Sequence, residues 1–391
     1  MSAYDTAVAG YDTSLSEEQI AIRDLARDFA EREIGSVVME YDESQEFPAE
    51  IFKKMAELGF LGVMIPADYE GAELGAVEFS LIVEEVARVD PSVALGVAAH
   101  NGLCSGHILG FGSGALKEEY LPRLATGQTI GAWGLTESGS GSDAGGMMTT
   151  ARREGGDWIL NGSKNFITHG TVGKVAVVIA MSNPELPPGK GASAFVLDKS
   201  MEGFYASKKE DKLGMRCSDT SSLVMEEVHV PGKNLIGDEG EGFKQALKIL
   251  DGGRISIAAL SVGLAQGALD AALKYANERS QFGNNLAAYQ AIQFKLAKMA
   301  TDIAASRHLT HQAAFLRDTG QDYTLAASQA KLFASETAVR CAEEAVQIHG
   351  GYGYIKEYPV EKYYRDAKLL TIGEGTSEIQ KIVISRHILG Y

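Results

Sequence analysis

The sequence predicts a mainly helical α+β protein in three consecutive parts: a helical N-terminal domain over residues 1–128, a β domain over 129–238 and a C-terminal helical bundle over 239–391. Three observations carry this. Apolar residues recur at helical spacing up to about residue 128, at a period near two from about 129 to 238, and at helical spacing again after Gly240. Glycine and proline punctuate the first part at Pro66, Gly71 and Gly112 and crowd the connections of the second. The last part holds long runs rich in Ala, Leu, Ile and Lys with short connections, which suits antiparallel neighbours.

Taken in order, Ser16 and Gln19 have the spacing of a capping box, and Ile22, Leu25 and Phe29 follow on one helix face. Amphipathic helices are predicted over 49–57, 76–89 and 92–109. In the β domain, 158–160 and 165–168 flank Asn161-Gly162, whose tolerance of positive φ reads as the tight turn of a hairpin. Further strands are predicted over 175–181, 194–197 and 223–230, and long helices over 242–279, 289–319 and 323–349. Each glycine of Gly252-Gly253 costs about 1 kcal/mol relative to Ala inside the first long helix. The pair reads either as room for a ligand beside Arg254 or as a close helix crossing.

With 391 residues, 45% hydrophobic and 23% charged, the composition excludes a disordered chain and suffices for two or three domains with sizeable cores. A net charge of -16 argues against a nucleic-acid backbone or an anionic membrane surface as the main partner. Any phosphate on a ligand must then be held by local cations and backbone amides. Cys104, Cys217 and Cys341 have neither paired spacing nor a histidine cluster nearby, so neither a disulfide framework nor a metal site is predicted. The N-terminus has no basic region followed by an apolar stretch, and apolar runs such as 175–181 are too short for a bilayer, so a cytoplasmic protein is expected.

Chemistry concentrates in glycine-bearing segments. In Ile372-Gly373-Glu374-Gly375-Thr376-Ser377-Glu378-Ile379-Gln380 the carboxylate of Glu374 has no side chain on either neighbour, which lets a substrate approach both acid and backbone as a general base requires. The same triplet in isolation reads as a solvent loop. The segment from Trp133 through Leu135-Thr136-Glu137 to Gly141-Ser142-Asp143 offers hydroxyls and unhindered amides for a ring edge or a phosphate, or is a plain flexible loop; it matches neither a Walker loop nor the dinucleotide fingerprint. Gln347-Ile348-His349-Gly350-Gly351 ends the last long helix either in a backbone open to phosphates or in a glycine cap. Arg279-Ser280-Gln281-Phe282-Gly283 pairs a cation with an aromatic ring, as for a pyrophosphate or adenine contact, or is a solvated helix end. His100, His107 and His349 read as satisfied structural residues, and no Gly-x-Ser-x-Gly register places a Ser-His-Asp triad.

In their order and spacing, 135–143, Asn161-Gly162-Ser163-Lys164 with Ile167-Thr168, 278–283, 347–353, Tyr364-Arg365-Asp366-Ala367 and 374–380 resemble the acyl-CoA dehydrogenase family of flavoproteins over essentially the whole chain. The resemblance implies a middle domain of barrel-like or sandwich form, a C-terminal four-helix bundle, and an FAD enzyme that oxidises an acyl-CoA thioester to its trans-2-enoyl form and passes electrons to an electron-transferring flavoprotein. It makes Glu374 the base that takes the α-proton while hydride leaves the β-carbon for flavin N5. The thioester oxygen is then hydrogen-bonded by the Glu374 N–H and a flavin ribityl hydroxyl. Desolvation against flavin and acyl chain is expected to raise the Glu374 pKa.

By the same resemblance Trp133, Leu135, Thr136, Ser142, Phe166, Ile167 and Thr168 contact the flavin, with Ser142 also touching the thioester arm. Asp251, Arg254 and Gly375 contact the substrate, and the helix glycines give it room. Arg279, Gln281, Phe282, Gln290, Gln347, Gly350 and Gly351 reach the adenosine diphosphate, partly across a subunit boundary, which implies a homo-oligomer built as a dimer of dimers. Thr376 and Glu378 close the cofactor site. Relatives of the isovaleryl and long-chain type carry their base on the helix where this chain has Gly253, so Glu374 has no rival. Several relatives have Tyr before the base; Gly373 removes that wall of the acyl pocket. Residues 92–103, matching the pocket-lining helix, contain no Arg or Lys for a distal carboxylate. A short-chain or short branched-chain acyl group is therefore expected rather than a decarboxylating glutaryl-CoA-type reaction. An acyl-CoA oxidase, whose chains are usually longer, and a catalytically silent flavin-binding assembly protein, against which Glu374 argues, are the remaining readings.

Overall fold

Helix α1 (Glu17–Phe29) opens on the predicted capping box: Ser16 Oγ accepts from the Gln19 N–H and Gln19 Oε1 from the Ser16 N–H, both at 3.1 Å. It belongs to a computed structural model that describes residues 14–187 and 189–390. After α2 (Val38–Ser44), helices α3 (Ala49–Glu57) and α4 (Ala76–Val89) occupy their predicted spans. The helix predicted over 92–109 is instead three pieces. Helices α5 (Pro91–Ala98) and α6 (Gly106–Phe111) are joined by a π-helical segment, Ala99–Ser105, whose wider turn re-aims its side chains without breaking the chain's course. Helix α7 (Gly114–Ala125) follows, capped by Ser113.

The β region contains β1 (Gly131–Gly134), β2 (Thr150–Glu154), β3 (Asp157–Thr168), β4 (Val175–Met181), β5 (Ala192–Asp198), β6 (Phe204–Ala206), β7 (Thr220–Val230) and β8 (Leu235–Ile236). Their order is β6-β7-β3-β2-β4-β5-β8, with β1 parallel to β4. The sheet folds over on itself in sandwich fashion. Trp158 of β3 meets Phe195 of β5 with ring centroids 5.3 Å apart although β2 and β4 lie between them in the order, and Leu160, Val178, Leu223 and Val228 share that core. The other face of β4 and β5, at Val177, Ile179 and Val196, packs on Ile108, Leu121 and Leu124 of α6 and α7. Burial on both faces accounts for the unbroken apolar sequence of β4.

Asn161-Gly162 is not a hairpin turn. Strand β3 runs through it, and the chain reverses at Gly155-Gly156, between the paired residues Glu154 and Asp157. Gly162, at φ +139°, sits at a register shift against β7, where a Cβ would lie 2.6 Å from Thr149 Oγ1. The local Asn-Gly signal was overridden by pairing with a strand far along the chain. A second shift between Lys164 and Ile167 leaves Phe166 left-handed at φ +59° and 68% exposed, a bulge that aims one ring out of the sheet.

The C-terminal part begins with α8 (Gly242–Glu278), then a small hairpin of β9 (Ser280–Gln281) and β10 (Asn284–Asn285), α9 (Gln290–Asp318), α10 (Thr324–His349), α11 (Val360–Leu370) and α12 (Ser377–Leu389). Helices α8, α9 and α10 pack on one another and α12 packs on α10. Small residues such as Ala258, Ala265, Ala314, Ala330 and Ala334 face the shared core. Helix α4 packs against α8, so the N-terminal and C-terminal helices bury one continuous core. By length and composition α8 is apolar enough to cross a bilayer, which the run lengths do not suggest; 83% of that apolar stretch is buried inside the protein, as in a core helix.

Helix α11 is held by charge. Buried Lys362 donates to Asp90 Oδ1 at 2.8 Å and Asp366 Oδ2 at 2.6 Å, while Asp366 Oδ1 accepts the Met215 N–H. Arg365 binds Asp42 at 2.7 Å, which gives the Tyr364-Arg365-Asp366 motif a role in fixing α11 to distant segments. Burial opposes the Lys362 charge, yet Asp366 and Asp90 hold its ammonium well above the ordinary lysine range. Without that cation two buried carboxylates would be left uncompensated. Lys362→Met is therefore expected to cost roughly 3–5 kcal/mol, read as a lower urea midpoint. An unchanged midpoint would show that the cluster adds nothing to stability.

Candidate functional site

The connection between α11 and α12 carries Glu374 and Gly375 in consecutive left-handed conformations, φ +52° and +94°. A glutamate adopts that geometry only where its surroundings impose it. Thr376 caps α12, its Oγ1 accepting the Ile379 N–H at 3.3 Å, and the Ser377 N–H donates to the Thr371 carbonyl at 3.1 Å. The Gly375 carbonyl accepts from both Gln380 Nε2 at 3.0 Å and Lys331 Nζ at 2.7 Å.

Glu374 is half-buried as a residue, but its Oε2 is fully shielded and has no hydrogen-bond partner among the described residues. That oxygen points at α8. A Cβ built on Gly253 would lie 1.9 Å from Glu374 Oε2 and 3.3 Å from Leu103 Cδ2. A Cβ at either glycine of Gly252-Gly253 would meet a side chain and not the backbone of a crossing helix: Glu374 at 253, and the Arg317 guanidinium at 252, 2.9 Å away. Burial pushes the Glu374 carboxyl up from 4.5 to about 7, against the pull of Lys331 and Arg254 toward the anion. Arg254 is itself buried, with Nη1 on Asp251 Oδ1 at 2.5 Å and Ser328 Oγ at 3.2 Å, and Thr324 Oγ1 donates to Asp251 Oδ2 at 2.9 Å.

Sequence reasoning misses Lys331. Its signal is a polar stripe at i, i+4, i+7 and i+11, namely Thr324, Ser328, Lys331 and Ser335, on a helix otherwise lined with buried alanines. Gln380 and the steric role of Gly253 are likewise invisible without tertiary contacts.

Beside Glu374, the π-helical Ala99 and Leu103 join Ile249 of α8 in a small apolar cluster that Phe111 and Trp133 extend. Trp133 Nε1 donates to His107 Nδ1 at 3.0 Å, so His107 Nε2 carries the proton toward Gln245 Oε1, 3.0 Å away. Burial lowers the His107 pKa to about 4, which keeps the ring neutral. His100 is equally occupied, accepting the Gly131 N–H at 3.0 Å and facing the Leu61 and Leu124 carbonyls. The 133–143 segment is anchored at Leu135 and Glu137. Buried Glu137 accepts the Met148 and Thr149 N–H groups and the Lys164 ammonium at 2.6 Å, and Lys164 also donates to the Leu135 carbonyl at 3.1 Å. On this pinned frame Leu135 is buried, Thr136 half-buried and Ser142 exposed, while on β3 Ile167 is buried and Thr168 half-buried.

Arg279, Gln281, Gly350 and Gly351 come together around a surface hollow of about 430 Å³ that also includes Tyr275, His349 and Tyr352. The Arg279 guanidinium lies 5.4 Å from the Tyr352 ring centre, and His349 stacks on Tyr275 at 4.2 Å. A Cβ on Gly350 or Gly351 would meet nothing within 4 Å, so the backbone there is open to approach. The adjacent hairpin turns on Phe282-Gly283, both at positive φ, and leaves Phe282 94% exposed. Exposed Gln290 and Gln347 do not line this hollow, nor do 133–142, 166–168 or Glu374. Thr376 and Glu378 lie in a separate surface depression with Arg340 and Lys368. An outward aromatic ring on a fixed strand fits a flavin ring, and a cation beside open glycine backbone fits a diphosphate.

Residues 16–128, 132–228 and 240–389 match the family models for the N-terminal, middle and C-terminal domains of acyl-CoA dehydrogenases. The chain is 44% identical over 377 residues to a short-chain specific acyl-CoA dehydrogenase of Clostridium acetobutylicum, covering 96% of this chain and 99% of the relative. It is 45% identical over 376 residues to the caffeyl-CoA reductase-Etf complex subunit CarC of Acetobacterium woodii, covering 96% and 99%. The solved butyryl-CoA dehydrogenase of Megasphaera elsdenii is similar at a TM-score of 0.95 and 40% identity over 97% of this chain and 100% of that one.

Proposed function

Because the chain belongs to the acyl-CoA dehydrogenase family of FAD-dependent oxidoreductases, we propose that it dehydrogenates the acyl group of a short-chain or short branched-chain acyl-CoA, with Glu374 as the base that takes the α-proton. The observation that carries this reading is the shielded, unpartnered Glu374 Oε2 beside the apolar cluster of Ala99, Leu103 and Ile249. FAD, when bound, supplies the hydride acceptor for the β-hydrogen. The chain's residues do the rest. A carboxylate with a pKa near that of the working solution removes a carbon-bound proton better than an ordinary glutamate, because it is both deprotonated and basic enough. The Glu374 N–H, which has no acceptor among the described residues, is free to bond the thioester oxygen as negative charge develops.

Thr136, Ser142, Phe166 and Thr168, with Trp133, Leu135 and Ile167 behind them, would hold the flavin ring, and Arg279, Gln281, Gly350 and Gly351 the diphosphate. Exposed Phe282 on a strained turn, with Gln290 and Gln347 nearby in sequence to the same elements, supports completion of that site by a second copy in a dimer of dimers. Thr376 and Glu378 would close its edge. Residues 92–103, on α5 and the π-helical segment beside Glu374, contain no Arg or Lys to bond a distal carboxylate, which favours a monocarboxyl acyl group over a glutaryl one. A relative named as part of an Etf complex supports an electron-transferring flavoprotein as acceptor.

Anaerobic titration of the FAD-loaded protein with butyryl-CoA and a panel of longer, branched and glutaryl thioesters tests the reading. Bleaching of the flavin with formation of the trans-2-enoyl product is expected; a spectrum unchanged by every thioester rejects it in favour of a silent flavoprotein, and reoxidation faster with air than with the flavoprotein acceptor would indicate an oxidase. Since the anion is the reactive form, kcat/KM is expected to rise with pH through a midpoint of about 7. A midpoint in the ordinary glutamate range would count against Glu374.

A further inference from the structure

We propose that Lys331 is a positioning residue for the base: its buried ammonium, seated on the Gly375 carbonyl, sets a positive charge beside the left-handed Glu374-Gly375 turn. The proposal rests on Glu374 as the base. Lys331 is fully buried, and among the described residues its hydrogen bond goes to a carbonyl, Gly375 O at 2.7 Å, rather than to a carboxylate. An ammonium has three donors and is strongly hydrated, so burying it against one neutral acceptor is unfavourable unless an anion lies near. Burial lowers the Lys331 pKa from 10.5 to about 8, still above that of Glu374, and the acids that oppose the fall are Glu374 and, from α12, exposed Glu378. The charged groups facing Glu374 are Lys331 from α10 and Arg254 from α8, and Arg254 already bonds Asp251. Lys331 is thus the cation near Glu374 without a carboxylate of its own. Gln380 shares the Gly375 carbonyl, so a neutral donor already serves the geometry and the added feature of Lys331 is charge.

Acetyl-CoA separates this role from the redox chemistry: it has α-hydrogens and no β-carbon, so its deuterium uptake in heavy water reports the base alone. The experiment follows that uptake by mass spectrometry against pD in the holoenzyme and in Lys331→Gln, Lys331→Met and Lys331→Arg. In parallel, the Glu374 carboxyl band, identified by its loss in Glu374→Gln, is titrated by infrared spectroscopy in the same proteins without turnover. Loss of the positive charge is expected to move the midpoint upward by about one pH unit in both measurements, a roughly tenfold slower exchange below it, with KM nearly unchanged and Lys331→Arg close to wild type. Lys331→Gln keeps a hydrogen-bond donor, so it decides the matter if Lys331→Met does not fold. A Lys331→Gln midpoint that coincides with wild type, or a uniform rate loss at every pD, overturns the proposal while the Glu374 reading stands. Exchange that survives in Glu374→Gln overturns both.

Discussion

Replacing Glu374 with Gln is expected to lower kcat by roughly 10²–10⁴-fold and at the same time to make the protein more stable above neutral pH. The two effects share a cause. Burial holds the folded-state pKa at about 7, up from 4.5, so between those values the native state keeps a proton that the unfolded chain has released. Stability contributed by this group is therefore intact below about 4.5 and lost as pH rises to about 7, a loss of about 3 kcal/mol at the conversion of 1.36 kcal/mol per pH unit. Gln carries no charge to desolvate and keeps nearly the same shape. Thermal unfolding of the two proteins should coincide near pH 4.5 and diverge in favour of the Gln variant above pH 7. An active Gln variant, or one no more stable than wild type at alkaline pH, would contradict the assignment. Catalysis here is set against stability, as is common where a buried group is kept poised to ionise.

Gly253→Ala should be the second most damaging small change, for a steric reason alone. The new methyl carbon would lie 1.9 Å from Glu374 Oε2, while Ala is about 1 kcal/mol better than Gly within a helix. The side chain of Glu374 is the flexible partner in that clash, so the carboxylate moves and α8 does not. Displacing a reacting group by about 1 Å can cost roughly a hundredfold in rate. We expect kcat to fall by about that factor with circular dichroism, flavin content and KM close to wild type. A Gly253→Ala enzyme with wild-type kcat would mean that the carboxylate works from some other position.

Much of the architecture is legible because it is encoded locally. The Ser16 and Gln19 cap, the apolar periods of α3 and α4, and the glycine-flanked Glu374 each announce themselves within a few residues. What escapes is decided at a distance. Asn161-Gly162 carries a strong turn signal, yet pairing of β3 with β7 keeps it extended. The π-helical segment leaves the apolar spacing of 92–109 intact and so leaves no local trace. Lys331 and the carbonyl it holds are 44 residues apart, and Gly253 meets Glu374 only because α8 passes the α11–α12 connection. The resemblance to a flavoprotein family supplies roles for residues; the contacts that tune those roles come from tertiary packing.

The bond between Asp90 and Lys362 has a consequence for biosynthesis. The two residues are 272 positions apart, so a ribosome releases the aspartate long before its cation exists. Until then, drying Asp90 at the α4–α5 junction would leave an unpaired carboxylate, which is costly. The cation comes with α11, and the stretch translated immediately afterwards is the one that carries Glu374. The helical shell and the Glu374 segment are thereby tied together: a chain that has not yet reached α11 has neither the cation that pairs with Asp90 nor Glu374.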